Sequence, residues 1–197
     1  MQDGHKRQRE ELQGASGAVK AEGIIGGNGQ RRPMDFYPTP PEVTNAFLNF
    51  MEDNIGPDFW RGKRVWEPAA GNGAMAEKLR ERGAIVIETD ILTGTDFLKA
   101  KTPEADFICT NPPFSQAEKF IRRALETGLP FALLLKSQFW HSKKRFDLFN
   151  ANKPALMLPL TWRPDFTGGG NSLMDCVWCV WFRGSIWQTV YMPIKKE

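Results

Sequence analysis

"KRVWEPAAGNGAMAEKLRERGAIVIETD", residues 63 to 90, is the stretch whose reading decides the fold. It begins with an aromatic and β-branched run that breaks at Pro68 into a short turn carrying Gly71 and Gly73. A helix-forming stretch follows, stopped by Gly83, and then a second apolar run that ends in Asp90. Proline and glycine end the first strand, and glycine past the last helical residue ends the helix. The segment therefore predicts a strand, a glycine turn, a helix and a second strand.

The alternation continues outward. "ADFICTN" (105–111) predicts a strand, "SQAEKFIRRALETG" (115–128) a helix capped by Ser115 and closed by Gly128, and "FALLLK" (131–136) another strand. "KKRFDLFNA" (143–151) predicts a short helix, and "ALMLPL" (155–160) and "CVWCVWF" (176–182) two late strands. Upstream, "MDFYPTPPEVTNAFLNFM" (34–51) opens with three prolines as a stiff extended entry. Pro41 fits the first turn of a helix that carries Val43, Phe47, Leu48 and Met51 at helical spacing. Strands alternating with helices mean βαβ units, hence an α/β fold with a mainly parallel sheet.

Composition narrows the class. With 197 residues, 41% hydrophobic and 12% aromatic, the chain can bury one good core, so one domain is expected over residues 34–197. Residues 1–33 are rich in Gly, Gln, Lys and Arg, with Ile24 and Ile25 almost alone as large apolar residues, and predict a disordered, mildly basic tail. The formal charge of +3 excludes a polycation that coats nucleic acid, so any such binding must be local. No apolar run approaches the ~20 residues of a membrane span. Three cysteines and the lack of an apolar leader point to a reducing cytoplasm. Cys176 and Cys179 have C-x-x-C spacing, but positions three apart on a strand face opposite sides, so no shared metal is expected. Cys109 reads as a small core residue.

Ligands of open parallel sheets sit beyond the carboxyl ends of the strands. Here those ends carry Glu67, Ala69, Gly71 and Gly73, then Asp90, then Asn111, Pro112, Pro113 and Phe114. The first turn lacks G-x-G-x-x-G, and no G-x-x-x-x-G-K-[ST] occurs, so neither a dinucleotide nor a nucleoside triphosphate is specifically indicated. Glycine turns admit close approach of backbone to a ligand, and an acid at the next strand end can accept from both ribose hydroxyls. A nucleoside-bearing cofactor is the expectation.

"DFYPTP" (35–40), "WEPAAGNGAM" (66–75), "TDI" (89–91) and "NPPF" (111–114), in this order, resemble the S-adenosylmethionine-dependent amino methyltransferases. In particular the chain is similar to the small DNA N6-adenine methyltransferases common in bacteriophages and prophages. The likeness covers residues 34 to 182 and includes "RPDFTGGG" (163–170) before the aromatic strand, with little room for a separate recognition domain. It implies a Rossmann-like class I methyltransferase fold, a single three-layer domain with a late antiparallel strand, and S-adenosylmethionine as cofactor. It further implies that Tyr37, Pro38 and Thr39 lie over the methionine end of that cofactor, with Thr39 bonding its carboxylate. Asp96 and Phe97 would border its adenine. Glu67 and the first glycine turn would hold the amino acid moiety and the ribose region.

The chemistry of "NPPF" stands beside that likeness. An exocyclic amine on a purine is a poor nucleophile, because its lone pair is delocalised into the ring. The side-chain oxygen of Asn111 and the carbonyl of Pro112 can each accept one N–H, favouring a pyramidal nitrogen with its lone pair aimed at the methyl donor. Two prolines stiffen the loop and offer no N–H of their own. Phe114 adds a ring on which a planar base can stack, worth ~1–3 kcal/mol in comparable contacts. For a duplex the target adenine must first leave the stack. "KSQFWHSKKRF" (136–146) interleaves Lys136, His141, Lys143, Lys144 and Arg145 with Phe139 and Trp140, which suits phosphates and bases, or equally a solvated face over core aromatics. Arg163 in the polar stretch 161–175 is available to a phosphate or a base edge, and the glycines there allow closure over substrate. DNA is the expected partner. An amine in RNA, a protein glutamine amide, and a non-catalytic binding module remain the alternatives.

Overall fold

The computed structural model describes residues 37–169, 174–184 and 188–196. The expected tail, residues 1–33, lies outside them. The proline-rich entry leads into helix α1 (Pro41–Asn54), which has Pro40 at its N-cap and proline in its first turn, as the sequence predicts. There the missing N–H costs nothing, because no intrahelical acceptor exists for it.

The βαβ unit follows as β1 (Arg64–Glu67), α2 (Ala74–Glu81) and β2 (Ile85–Glu88). Then come β3 (Phe107–Thr110), α3 (Ala117–Thr127) and β4 (Phe131–Lys136). The chain closes with α4 (Phe146–Ala151), β5 (Leu156–Pro159), β6 (Cys176–Trp181) and β7 (Val190–Tyr191). Ser115 does not cap α3. It sits inside a 3₁₀ turn, Phe114–Gln116, and the helix starts at Ala117 without a side-chain cap. The backbone leaves the proline loop already turning, with Gln116 N–H donating to the Pro113 carbonyl at 2.8 Å, so the cap position has moved past the serine.

The strands form one sheet in the order β2-β1-β3-β4-β6-β5-β7. The first four are mutually parallel, and β6 runs antiparallel to both β4 and β5. This reversal brings the amino end of β6 beside the carboxyl end of β4, with Cys176 opposite Lys136, and the segment from β5 to β6 therefore emerges on the ligand-bearing end of the sheet.

Each sheet face carries its own apolar core, which makes the domain three-layered. One core joins α1 and α2 to Val65, Phe107, Cys109, Leu134, Cys176 and Trp178. The other joins α3 to Trp66, Ile108, Leu133, Leu135 and Cys179. Trp178 stacks on Phe47 at 4.4 Å and donates its indole N–H to the Val43 carbonyl at 3.2 Å, locking α1 onto the sheet. On the opposite face Phe131 stacks on Trp181 at 4.6 Å. Such pairs add ~0.5–1.5 kcal/mol beyond their buried area. Cys176 and Cys179 fall in opposite cores, as strand periodicity demands, and burial pushes the Cys176 thiol up to about 12. Among the described residues no helix is long and apolar enough to cross a membrane, and no group of three or more His, Cys, Asp or Glu is placed to hold a metal.

Candidate active site

Four strand ends converge beyond β1 to β4. The first turn is held by Asp90, whose Oδ2 accepts from Gly71 N–H at 2.9 Å and whose Oδ1 accepts from Leu92 N–H at 2.8 Å. Ala70 N–H donates to the Thr89 carbonyl at 3.1 Å, and the Trp66 indole to the Thr89 hydroxyl at 2.8 Å. The Asp90 carboxylate thus clamps the glycine turn to the corner after β2. Each of its oxygens keeps a second lone pair for a ligand hydroxyl. Gly73 caps α2 at φ +81°, a left-handed conformation that favours glycine, and a Cβ there would stand 3.0 Å from Glu88 Oε2, which would have to shift to admit it.

Glu67, 2% exposed, lies under this turn. Its carboxyl is held well above the ordinary carboxylate range, first by burial and then by the neighbouring Glu88 charge, with Asp90 adding to the effect. The Ala76 N–H at the start of α2 and the Arg80 guanidinium act in the opposite sense. Glu88 is itself paired with Arg80. Glu67 Oε2 is buried without a hydrogen-bond partner.

The second corner is built from the Asn-Pro-Pro-Phe loop and the entry to α1. Asn111 Nδ2 donates to the Tyr37 carbonyl at 3.2 Å and to the Thr39 hydroxyl at 3.1 Å. A carbonyl can only accept, so the amide orientation is fixed, and Oδ1 is left buried without a partner. Pro38 spaces the two anchors. The Thr39 hydroxyl, accepting from Asn111, keeps its own proton to donate. Phe114 packs against Tyr37 with centroids 5.8 Å apart, and Phe166 meets both rings edge-on at 6.2 Å.

Other expected site residues are placed differently from one another. Ala69 lies in the first turn. Asp96 Oδ1 accepts from Leu98 N–H at 3.0 Å, and Phe97, 2% exposed, is packed in the second core against Trp66 and Phe120. By contrast Ile91 and Leu92, directly after Asp90, are 60% and 44% exposed. Sequence reasoning passed over them. The available signal was an apolar pair following a strand-end acid with no helix to bury it.

Lys143 and Lys144 are exposed in a 3₁₀ turn, whereas Arg145 turns inward and donates Nη1 to the Phe139 carbonyl at 2.6 Å. Arg163 is exposed and donates to Asp175 at 2.8 Å, an acid that raises its pKa. The start of the polar stretch is an ordered turn: Asp165 Oδ1 accepts from Thr167 N–H, the Thr167 hydroxyl and Gly168 N–H, at 2.8 to 2.9 Å. Phe166, 5% exposed, is its buried anchor. Residues 170–173 of this stretch lie outside the described set.

No family model and no curated protein matches the sequence. Solved structures do. A candidate RNA methyltransferase from Pyrococcus horikoshii superposes with a TM-score of 0.58 at 17% identity, over 88% of this chain and 96% of that one. A candidate class I S-adenosylmethionine-dependent methyltransferase from Listeria monocytogenes gives 0.55 at 11% identity, over 94% and 72%. The type IIG restriction endonuclease BpuSI gives 0.53 at 13% identity, with 75% of this chain covering 25% of that one. The chain therefore has the Rossmann-like fold of the class I methyltransferases.

Proposed function

We propose that this chain is an S-adenosylmethionine-dependent methyltransferase acting on the exocyclic N6 amine of adenine in DNA. The observation that carries the reading is Asn111, with its nitrogen anchored twice to the chain before α1 and its oxygen buried, oriented and unpartnered. Pro113's carbonyl is taken by Gln116, which leaves Pro112's as the second acceptor. Together these oxygens receive the two N–H groups of an amine and turn its lone pair outward. Phe114 supports the ring that bears it. Lys143, Lys144 and Arg163 supply exposed positive charge for the phosphate backbone.

The residues present also fit the cofactor. When bound, S-adenosylmethionine supplies an electrophilic methyl group on a positively charged sulfur. Asp90 offers its remaining lone pairs to ribose hydroxyls, Ile91 and Leu92 an apolar surface to adenine, and Thr39 a hydroxyl donor to the carboxylate. Glu67 Oε2 is an acceptor for the ammonium group. After transfer the nitrogen sheds its proton to a carbonyl, a carboxylate or water, so no dedicated base is required.

Incubation with methyl-labelled S-adenosylmethionine and DNA, RNA or a glutamine-containing peptide in parallel tests the reading. Label recovered as N6-methyladenine from DNA is the expected result. Label confined to RNA or peptide would replace the substrate, and no label in any would remove the enzyme reading altogether.

A further inference from the structure

Between Lys136 and Phe146 the sequence interleaves aromatic and basic residues, and the fold divides both kinds into an inner and an outer set. Phe139, 8% exposed, and the half-buried Trp140 pack on each other and on Phe149, with centroids 4.4 to 6.0 Å apart. Phe146 is 63% exposed, belongs to neither core and has no ring partner among the described residues. Of the cations, Lys136 Nζ stands 4.4 Å from the Phe114 centroid, and the Arg145 guanidinium carbon 4.3 Å from that of Phe139, whose carbonyl it also holds. Those two are engaged. Lys143 and Lys144 are exposed, and neither has an ion-pair partner among the described residues.

The outer set shares one piece of backbone. Residues 143–146 form a 3₁₀ turn closed by Phe146 N–H donating to the Lys143 carbonyl. With three residues to a turn, side chains three apart eclipse, so Lys143 and Phe146 project from the same side. Arg145 points the other way and lines, with Phe114, an open cleft of about 200 Å³. The turn is therefore the rim of the cleft that contains the Asn-Pro-Pro-Phe loop. The exposed Asp147 offsets one of the two lysine charges, and the rim stays net positive. A lone apolar ring on a surface needs no explanation. A ring with a cation eclipsed beside it, on the rim of a substrate cleft, matches a planar base joined to a phosphate, the pairing by which single strands are held. We propose that Lys143 and Phe146 bind a nucleotide flanking the target, Phe146 stacking on its base and Lys143 taking its phosphate. Phe146 follows Arg145 directly, with Cα atoms about 3.8 Å apart, so this nucleotide lies just outside the cleft. The inference rests on the reading that nucleic acid is the substrate. It makes a flanking nucleotide part of recognition, which a glutamine peptide or a free nucleoside does not supply.

The test uses labelled adenine-containing single strands that extend to both sides of the target, with 5-iodouracil at one flanking position at a time. Binding is read by anisotropy across a salt series, and stacking by photocrosslinking, with the attached residue mapped by mass spectrometry. One flanking position should crosslink to Phe146. Phe146→Ala should remove that crosslink and weaken binding about tenfold with no change in salt dependence, whereas Phe146→Trp should retain binding. Lys143→Gln should lower the slope of log affinity against log salt by roughly 0.7, one phosphate on a single strand. Strands cut back to the target on the crosslinking side should bind the parent and Phe146→Ala alike. Cofactor affinity and melting temperature should not move, because both side chains are exposed. A parent that binds no oligonucleotide, no crosslink to Phe146 at any position, or equal affinity of parent and Phe146→Ala for the long strands would each overturn the assignment. So would self-association that Phe146→Ala abolishes, which would give this face to a second copy of the chain. If the crosslink and the tenfold loss are found but no label reaches adenine, the methylation reading fails while the rim stands. If Phe146→Ala methylates adenine with the parental rate and affinity, the rim falls and the methylation reading stands.

Discussion

Asp90 and Asn111 are short polar side chains at neighbouring strand ends, and the fold uses them in opposite ways. Asp90 spends both carboxylate oxygens on N–H groups of its own corner, so that corner holds its shape without a ligand. Asn111 spends its donors on a segment more than seventy residues earlier and keeps its acceptor unsatisfied. A buried acceptor without a partner costs ~1–3 kcal/mol. That cost is recovered only when a donor arrives. One corner stores geometry, and the other stores an unmet hydrogen bond.

Asn111→Ala gives the largest expected effect. It removes the open acceptor and leaves Asp90 untouched, so the methyl-transfer rate should fall on the order of 10²-fold or more, by analogy with losing one oriented hydrogen-bonding group from an active site. Cofactor affinity measured by calorimetry should barely change. A parental single-turnover rate would break the contrast at its catalytic end.

Asp90→Asn comes next. The amide retains one acceptor, but its nitrogen faces a backbone N–H, so the glycine turn loosens and a charge-assisted bond is lost. At roughly 1.5–3 kcal/mol for such a bond, cofactor affinity should drop about ten- to a hundredfold. Melting temperature should fall as well, because the carboxylate also holds the free protein together. An affinity loss with no change in melting would mean that Asp90 serves the ligand alone.

Glu67→Gln sharpens the comparison with a smaller effect. The folded-state pKa of this acid is raised, so the unfolded chain gives up the proton first. Parental stability is full below the unfolded carboxyl value of ~4.3 and declines as pH rises from there toward the folded value. The amide has no such decline. The variant should therefore gain melting temperature over the parent as pH increases and match it near pH 4, while binding S-adenosylmethionine more weakly at neutral pH. Parallel melting curves across the pH range would show that Glu67 is not held neutral in the free protein.

The sheet was legible because its signals are local. Pro41, Gly83, Gly128 and Asp90 sit where one element stops and another starts, and the opposed sulfurs of Cys176 and Cys179 follow from strand periodicity alone. Ser115 misled because a 3₁₀ turn inherited from the prolines displaced the helix start, which composition does not reveal. In the site, the strand-end positions of Asp90 and Asn111 could be read directly. The bond from Asn111 to Thr39, the burial of Phe97 with exposure of Ile91, and the placing of Lys136 over Phe114 could not. Each depends on which distant segments the fold brings together.

The reversed strand β6 has a consequence for how this scaffold can change. Pro159 and Val177 are held opposite each other in the β5–β6 ladder, so the chain leaves β5 and re-enters β6 at one end of the sheet, beside the carboxyl end of β4. Lengthening such a loop is cheap, about 0.6 kcal/mol for each doubling. Strand register is set by the ladder rather than by this length, while Phe166 and Met174 tie the described parts of the segment to the first core. The fold therefore contains an insertion port, where sequence can be added between the two buried anchors while the Asp90 corner stays as it is.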